Sequence, residues 1–135
     1  MKFMNYWASA SFDWNIKIYR GTFGTEEAVI KYHKEFVTSL EANKVQNPFI
    51  MASADAEGKL AVWKIDRPNW DSPLFEWSNS SAIHKICWNA NGTKLAVVDA
   101  KGGLNVIGFP KSKLAMNERS TQWYLKNGAK LNFKN

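Results

Sequence analysis

Two histidines, His33 and His84, and a single cysteine, Cys87, are the side chains of this sequence best suited to moving protons or attacking an electrophile. Such chemistry needs acids, bases and nucleophiles that converge, and the sequence brings none together. His84 alternates with Ile83 and Ile86 in the run Ile83-His84-Lys85-Ile86-Cys87-Trp88, so it reads as a hydrogen-bonded structural histidine on an inner strand. Cys87, beside Trp88 in the same run, reads as a buried, inert thiol, because activation requires an electropositive and exposed setting. One cysteine and two distant histidines offer no metal-ligand spacing. Gly21-Thr22-Phe23-Gly24 and Gly102-Gly103 read as turns, since neither runs into a helix with the Lys-Ser/Thr of a phosphate loop. No catalytic residue, metal or cofactor is expected.

Binding chemistry has better material. Asp13-Trp14 is open to two readings: a turn aspartate accepting backbone hydrogen bonds while the indole covers its hairpin, or an aromatic displayed on a turn for a partner, since Trp is enriched at binding hot spots. Trp70 and Trp77 flank Asp71-Ser72-Pro73 in a connection, where they either contact a partner or pack on an outer strand. From Pro110 onward six bases face one acid, which accounts for +5 of the formal +6 charge. Lys111, Lys113, Arg119 and Trp123 in this tail are candidate contacts for an acidic partner, simple solvation being the alternative. The body is nearly neutral, which argues against an extended phosphate-binding face.

The elements that must position these residues repeat. Asp13 to Tyr19, Glu57 to Trp63 and Lys101 to Ile107 align, and their last residues stand 44 apart twice over, within the period of about 40–45 residues of a propeller blade. Each opens with a turn and continues as an apolar–polar alternation, the mark of a strand with one buried face. Ile16 and Ile18, Leu60 and Val62, and Leu104 and Val106 point the same way. Ahead of each lies a β-prone run rich in small residues: Tyr6 to Ser11, Phe49 to Ala54 and Leu95 to Val98. Val37 to Leu40 and Ile83 to Trp88 supply innermost strands, the latter joined to its hairpin through Asn91-Gly92. Ala28 to Tyr32 and Pro73 to Trp77 fall where outermost strands belong. The first blade then lacks its innermost strand and the third its outermost.

These pieces predict an all-β fold: about two and a half four-stranded antiparallel blades of a WD40-type propeller over 1–109, divided near 34 and 78. A basic, irregular or briefly helical tail follows over 110–135. Three blades cannot close a ring of roughly four to eight, so further blades must come from another chain or another part of the same protein. Apolar runs fall short of the ~20 residues of a membrane helix, and the N-terminus lacks the order of a secretory signal. A lone cysteine suits a reducing compartment; the sequons at Asn79 and Asn91 read as chance matches.

The stretch Ala8-Ser9-Ala10-Ser11-Phe12-Asp13-Trp14-Asn15-Ile16-Lys17-Ile18-Tyr19 resembles the Ser-Ser-Phe-Asp-Trp-Thr-Val-Lys-Leu-Trp segment of dynein intermediate chains. Asn47-Pro48-Phe49, Gly58 to Trp63, Trp88 to Val97 and the tail from Leu114 to Glu118 with Trp123 follow in that family's order. The chain departs from the usual Trp-Asp ending, with Lys64 after Trp63 and Arg20 after Tyr19, and no Gly-His pair opens a repeat. The resemblance implies a non-catalytic subunit of a microtubule motor whose propeller holds the dynein heavy-chain tail, in the cytoplasm and cytoskeleton, the ciliary axoneme included. Another assembly served by a generic WD-repeat scaffold, including a nucleic-acid complex touched by the basic tail, is the alternative.

Overall fold

The computed structural model describes residues 2–3, 6–10, 13–20, 25–47, 49–65 and 73–114. Among them eleven strands form three antiparallel sheets. The first sheet holds β1 (Lys2–Phe3), β2 (Tyr6–Ala10), β3 (Ile16–Arg20) and β4 (Thr25–Ile30), in chain order. The second holds β5 (Val37–Ala42), β6 (Ile50–Asp55), β7 (Lys59–Lys64) and β8 (Phe75–Ser78), again in chain order. The third holds β9 (Ile83–Trp88), β10 (Lys94–Asp99) and β11 (Leu104–Gly108), and a single turn of helix, α1 (Lys111–Leu114), follows it.

Each repeat is thus a meander in which every strand pairs with its sequence neighbour, as short connections favour. One expectation needs correcting: the first sheet does have an innermost strand, the two-residue β1 paired to β2 at Lys2–Trp7 and Phe3–Tyr6. Two residues carry too little alternation to register as a strand in the sequence.

The turns owe their shape to particular residues. Gly58 and Gly102 occupy corresponding positions between the second and third strands of their sheets, with φ of 97° and 84°, a region that L side chains rarely adopt. Between β9 and β10, Asn89 accepts the backbone N–H groups of Thr93 and Lys94 at its Oδ1 (2.9 and 3.0 Å), closing the turn at Asn91-Gly92.

Register decides which side chains share a face, because directly opposed residues of antiparallel strands point the same way. In the second sheet Ser39–Ala54–Leu60–Trp77 and Glu41–Ala52–Val62–Phe75 form two such rows. Ala52, Ala54, Leu60 and Val62 meet Ile83, Ile86, Leu95 and Val97 of the third sheet in one apolar cluster, which Leu114 of α1 completes. On the opposite side Met51, Ala61 and Trp63 meet Ala8, Ile16, Ile18 and Ile30 of the first sheet. The second sheet is therefore buried on both faces, at about 1.5–3 kcal/mol for each large apolar side chain taken fully out of water.

Polar contacts fasten the second sheet to the third. Thr38 Oγ1 donates to the Ile83 carbonyl (2.6 Å), Ser39 Oγ accepts the Ile86 N–H (3.2 Å), and Trp88 Nε1 donates to the Glu41 carbonyl (3.2 Å). At the far end of the same strands Asn43 Nδ2 and Gln46 Nε2 donate to the carbonyls of Gly92 and Asn91, each at 2.7 Å.

The third sheet overturns two readings. Leu104 and Val106, expected on a buried face, are 65% and 59% exposed, because no fourth sheet lies against them among the described residues. Cys87, expected to be buried, and His84, expected as a hydrogen-bonded structural histidine, are exposed as well. A bulge in the β9–β10 pairing next to Ile83 leaves His84 without an opposite residue, and Cys87 falls on the uncovered side. Of the tail expected to be irregular or briefly helical over 110–135, only residues 110–114 are described, and Lys111–Leu114 form α1.

Candidate functional site

The connection 33–36 and the turns at 13–15, 55–59 and 99–103 are the elements that position the polar and aromatic groups of interest. Asp55 ends β6 and organises its turn: its Oδ1 accepts the N–H groups of Glu57 (2.9 Å) and Lys59 (3.0 Å). Its Oδ2 lies 2.5 Å from His33 Nδ1, His33 Nε2 lies 2.7 Å from Ser53 Oγ, and Trp63 Nε1 donates to the same oxygen at 2.9 Å. One proton arrangement satisfies every member: Trp63 donates to Ser53, the Ser53 hydroxyl donates to Nε2, and Nδ1–H donates to Asp55. That arrangement needs neutral histidine, and burial of the ring lowers its pKa against the opposing pull of the Asp55 carboxylate.

An aspartate, a histidine and a serine in series have the connectivity of a hydrolytic triad. Here they do another job. Ser53 and Asp55 are fully buried, and the Ser53 oxygen already accepts the indole N–H, so no substrate carbonyl can reach it. The network ties the 33–36 connection, two strands and a turn into one unit. Tyr32 extends it: its ring stands edge-on to His33 and Trp63, and its hydroxyl donates to Glu76 Oε1 at 2.7 Å. Burial, then the Glu76 carboxylate, push the Tyr32 phenol above its ordinary range.

His33, Ser53 and Asp55 were not among the candidates from sequence. A serine on β6 and an acid three residues before the Gly58 turn position are unremarkable one at a time, and only folding places His33, some 20 residues upstream, against them. The third sheet carries a reduced version. Asp99 corresponds to Asp55, accepts the N–H groups of Lys101 and Gly103 at Oδ1 (2.9 and 2.7 Å), and takes Asn79 Nδ2 at Oδ2 (3.1 Å). The Asn79 amide, followed by the Gly103 N–H, holds the Asp99 carboxyl below its usual range. Val97 and Ile107 stand where Ser53 and Trp63 do, so this sheet replaces the buried polar chain with apolar contact.

The first hairpin differs again. Trp14 falls at the position of Gly58 and Gly102, yet takes the same left-handed backbone, with φ of 68°. Such a conformation costs a non-glycine residue about 1–2 kcal/mol. The indole is 41% exposed and meets the edge of Phe36, itself 51% exposed, with ring centroids 6.5 Å apart. Asp13 is exposed, and its carboxylate accepts the N–H of Asn15 at 3.2 Å. The structure therefore brings Asp13 and Trp14 together with Phe36, a residue the sequence reading did not single out.

The other candidates stand apart from this pair. Trp77 lies within β8, half-buried against the cluster between the second and third sheets, so it belongs to the strand and not to a connection. Lys111 and Lys113 are exposed on α1, whose Leu114 is buried. Trp70, Arg119 and Trp123 lie outside the described residues. Among those residues no group of three or more His, Cys, Asp or Glu side chains is arranged to hold a metal ion, and no helix is long and apolar enough to cross a membrane.

Solved structures share this arrangement. The WD40 domain of Toxoplasma gondii coronin superposes with a TM-score of 0.69 at 19% identity, over 86% of this chain and 30% of that one. The β-propeller domain of Cps50 (Swd1) from Myceliophthora thermophila gives 0.64 at 14% identity, over 78% and 32%. The fold is a partial WD40-type β-propeller. A chain of a humanized Chaetomium thermophilum Polycomb Repressive Complex 2 matches with a TM-score of 0.68 at 19% identity, over 78% of this chain and 23% of that one.

No protein-family model matches the chain. Mediator of RNA polymerase II transcription subunit 16 of Xenopus tropicalis is 29% identical over 92 residues, covering 66% of this chain and 11% of the relative. The three sheets are thus propeller blades, and this chain spans about a third or less of the length of the proteins it matches. In propeller terms the Trp14–Phe36 pair lies at the blade turns and interblade connection, and Leu104 and Val106 lie on a blade-facing surface.

Proposed function

We propose that the chain is a non-catalytic WD-repeat scaffold of a dynein motor complex, a subunit that holds the heavy-chain tail in microtubule-based movement. One observation carries the reading. Within the stretch most similar to dynein intermediate chains, Trp14 is held exposed in a backbone conformation for which the two sister repeats use glycine. Strain of this kind persists where function requires it, and an exposed indole next to Phe36 is suited to anchor a partner side chain. Asp13 and Trp14 are assigned to that contact, with Phe36 added. Lys111, Lys113 and Trp77, and Trp70, Arg119 and Trp123 beyond the described residues, are proposed as further contacts. The setting proposed is the cytoplasm and cytoskeleton, the ciliary axoneme included.

The test is capture of the native assembly through a tagged full chain, with heavy chain measured by mass spectrometry. Heavy chain should accompany the tagged protein and drop by roughly tenfold or more with Trp14→Ala plus Phe36→Ala, the loss expected of a hot spot. Absence of heavy chain from the assembly refutes the reading. The Mediator match favours a second reading, a scaffold in a nucleic-acid assembly whose basic tail meets phosphate. In that case binding to RNA or DNA must fall steeply between low and physiological salt.

A further inference from the structure

The turn between β9 and β10 carries a chemically labile pair. In Asn91-Gly92 the glycine nitrogen is shielded by no side chain of its own, so the asparagine Cγ can be reached by it once the backbone turns. Asn91 is exposed, and Gly92 sits at φ of 70°. Every other described asparagine precedes a residue that bears a side chain.

This dipeptide is also where the second blade grips the third. Gln46 Nε2 donates to the Asn91 carbonyl and Asn43 Nδ2 to the Gly92 carbonyl, each at 2.7 Å, while the Gly92 N–H donates to the Asn89 carbonyl at 3.0 Å. Asn43 is fully buried, and a Cβ on Gly92 would stand 2.6 Å from its Oδ1. Attack on Asn91 Cγ requires the Gly92 nitrogen to leave its acceptor and the peptide to swing, and both pinned carbonyls resist that swing.

We propose that Asn91 is a site of spontaneous deamidation through a cyclic imide with Gly92, and that the grip of Gln46 and Asn43 sets its rate. The Gly92 nitrogen gives its proton to solvent hydroxide and bonds to Asn91 Cγ. The bond from Cγ to Nδ2 breaks, and that nitrogen leaves as ammonia with a proton taken from water. Water then opens the imide at either carbonyl, giving aspartate or isoaspartate, so that water is consumed and ammonia released.

The isoaspartyl product undoes the grip that delayed it. The main chain now runs through the former side chain and is longer by a methylene, while the carbonyl that Gln46 held becomes a free carboxylate. The turn can no longer set both carbonyls opposite Gln46 and Asn43. The joint between the blades loosens at this end and stays fastened at the other by Thr38, Ser39 and the apolar cluster. The step depends on the second and third blades alone and not on the motor reading.

Incubation of the full chain in neutral buffer tests it, with isoaspartate measured by peptide mapping and by methyl transfer from an isoaspartyl methyltransferase. Mapping separates position 91 from Asn127-Gly128, the other Asn-Gly pair. A synthetic peptide of residues 88–95 supplies the unrestrained rate. The folded chain should convert roughly tenfold or more slowly than the peptide, because the hydrogen bonds that hold the turn must open first. Gln46→Ala, a change at a half-buried side chain outside the apolar clusters, should speed conversion about two- to tenfold, the range set by one hydrogen bond. Ser53→Ala, which weakens the fold away from this joint, should speed it less at a temperature where both variants remain folded. Equal rates in the folded wild type and the peptide overturn the proposal, as does a Gln46→Ala rate no higher than that of the wild type or of Ser53→Ala. So does absence of isoaspartate at 91 in Gln46→Ala after the peptide has converted.

Discussion

Replacing Ser53 by alanine removes a single oxygen, yet it should be among the most damaging small changes available to this chain. The hydroxyl accepts the Trp63 indole N–H at 2.9 Å and lies 2.7 Å from His33 Nε2, and all three residues are buried. Its loss leaves two buried polar groups without partners, each at a desolvation cost of about 1–3 kcal/mol. The expected destabilisation is about 2–4 kcal/mol, or a fall in Tm of roughly 8–20 °C for a domain of this size. Urea denaturation of the full chain followed by far-UV circular dichroism measures it. The same reasoning requires non-additivity: Trp63→Phe should cost less by about 1 kcal/mol when Ser53 is already alanine, since the indole N–H then has nothing left to lose. A Ser53→Ala loss below about 0.5 kcal/mol, or strict additivity with Trp63→Phe, would show that the buried chain is not worth what ordinary desolvation costs assign to it.

Further outcomes follow from the same geometry. His33 is held neutral with its pKa lowered from 6.5, so the unfolded chain binds the proton more readily and stability must rise with pH across this titration. Its contribution is complete above 6.5 and is lost as the pH falls from there through the lowered folded value. Denaturation midpoints between pH 7.5 and 5 should decline in the wild type and decline less in His33→Gln, and equal slopes would contradict the assignment. Gly58→Ala places a Cβ 2.5 Å from the Asn79 carbonyl oxygen and 2.7 Å from that of Ser81, whereas Gly102→Ala meets nothing within 4 Å. Both keep a positive φ, so Gly102→Ala should cost about 1 kcal/mol and Gly58→Ala clearly more; equal thermal shifts would rule this out. Trp14→Gly removes backbone strain but frees the unfolded chain and loses the Phe36 contact. Its stability should change by less than about 1 kcal/mol while heavy-chain capture drops, and a large loss of stability would recast Trp14 as a core residue.

The blades were legible because their signals are local. Alternation in Ile16 to Tyr19, Leu60 to Trp63 and Leu104 to Ile107 shows up within a few residues, and the spacing of 44 exposes the repeat. The Gly58 and Gly102 turn positions could be placed in the same way. β1 escaped notice because two residues carry no period. The candidate site was half legible: Asp13-Trp14 stood out by composition, whereas Phe36 becomes its neighbour only when the connection into β5 folds back over the first hairpin.

Sequence by itself therefore determined the repeating unit, the strand order within each blade and the turn positions, since alternation and turn chemistry act between residues close along the chain. Tertiary structure decided burial. Leu60 and Leu104 hold equivalent places in equivalent strands, yet one is fully buried and the other 65% exposed, because a sheet face is covered by the next blade and not by its own. His33 and His84 divide for the same reason: one is enclosed by a serine, an aspartate and a tryptophan brought from other strands, while the other sits at a bulge in β9 and faces water.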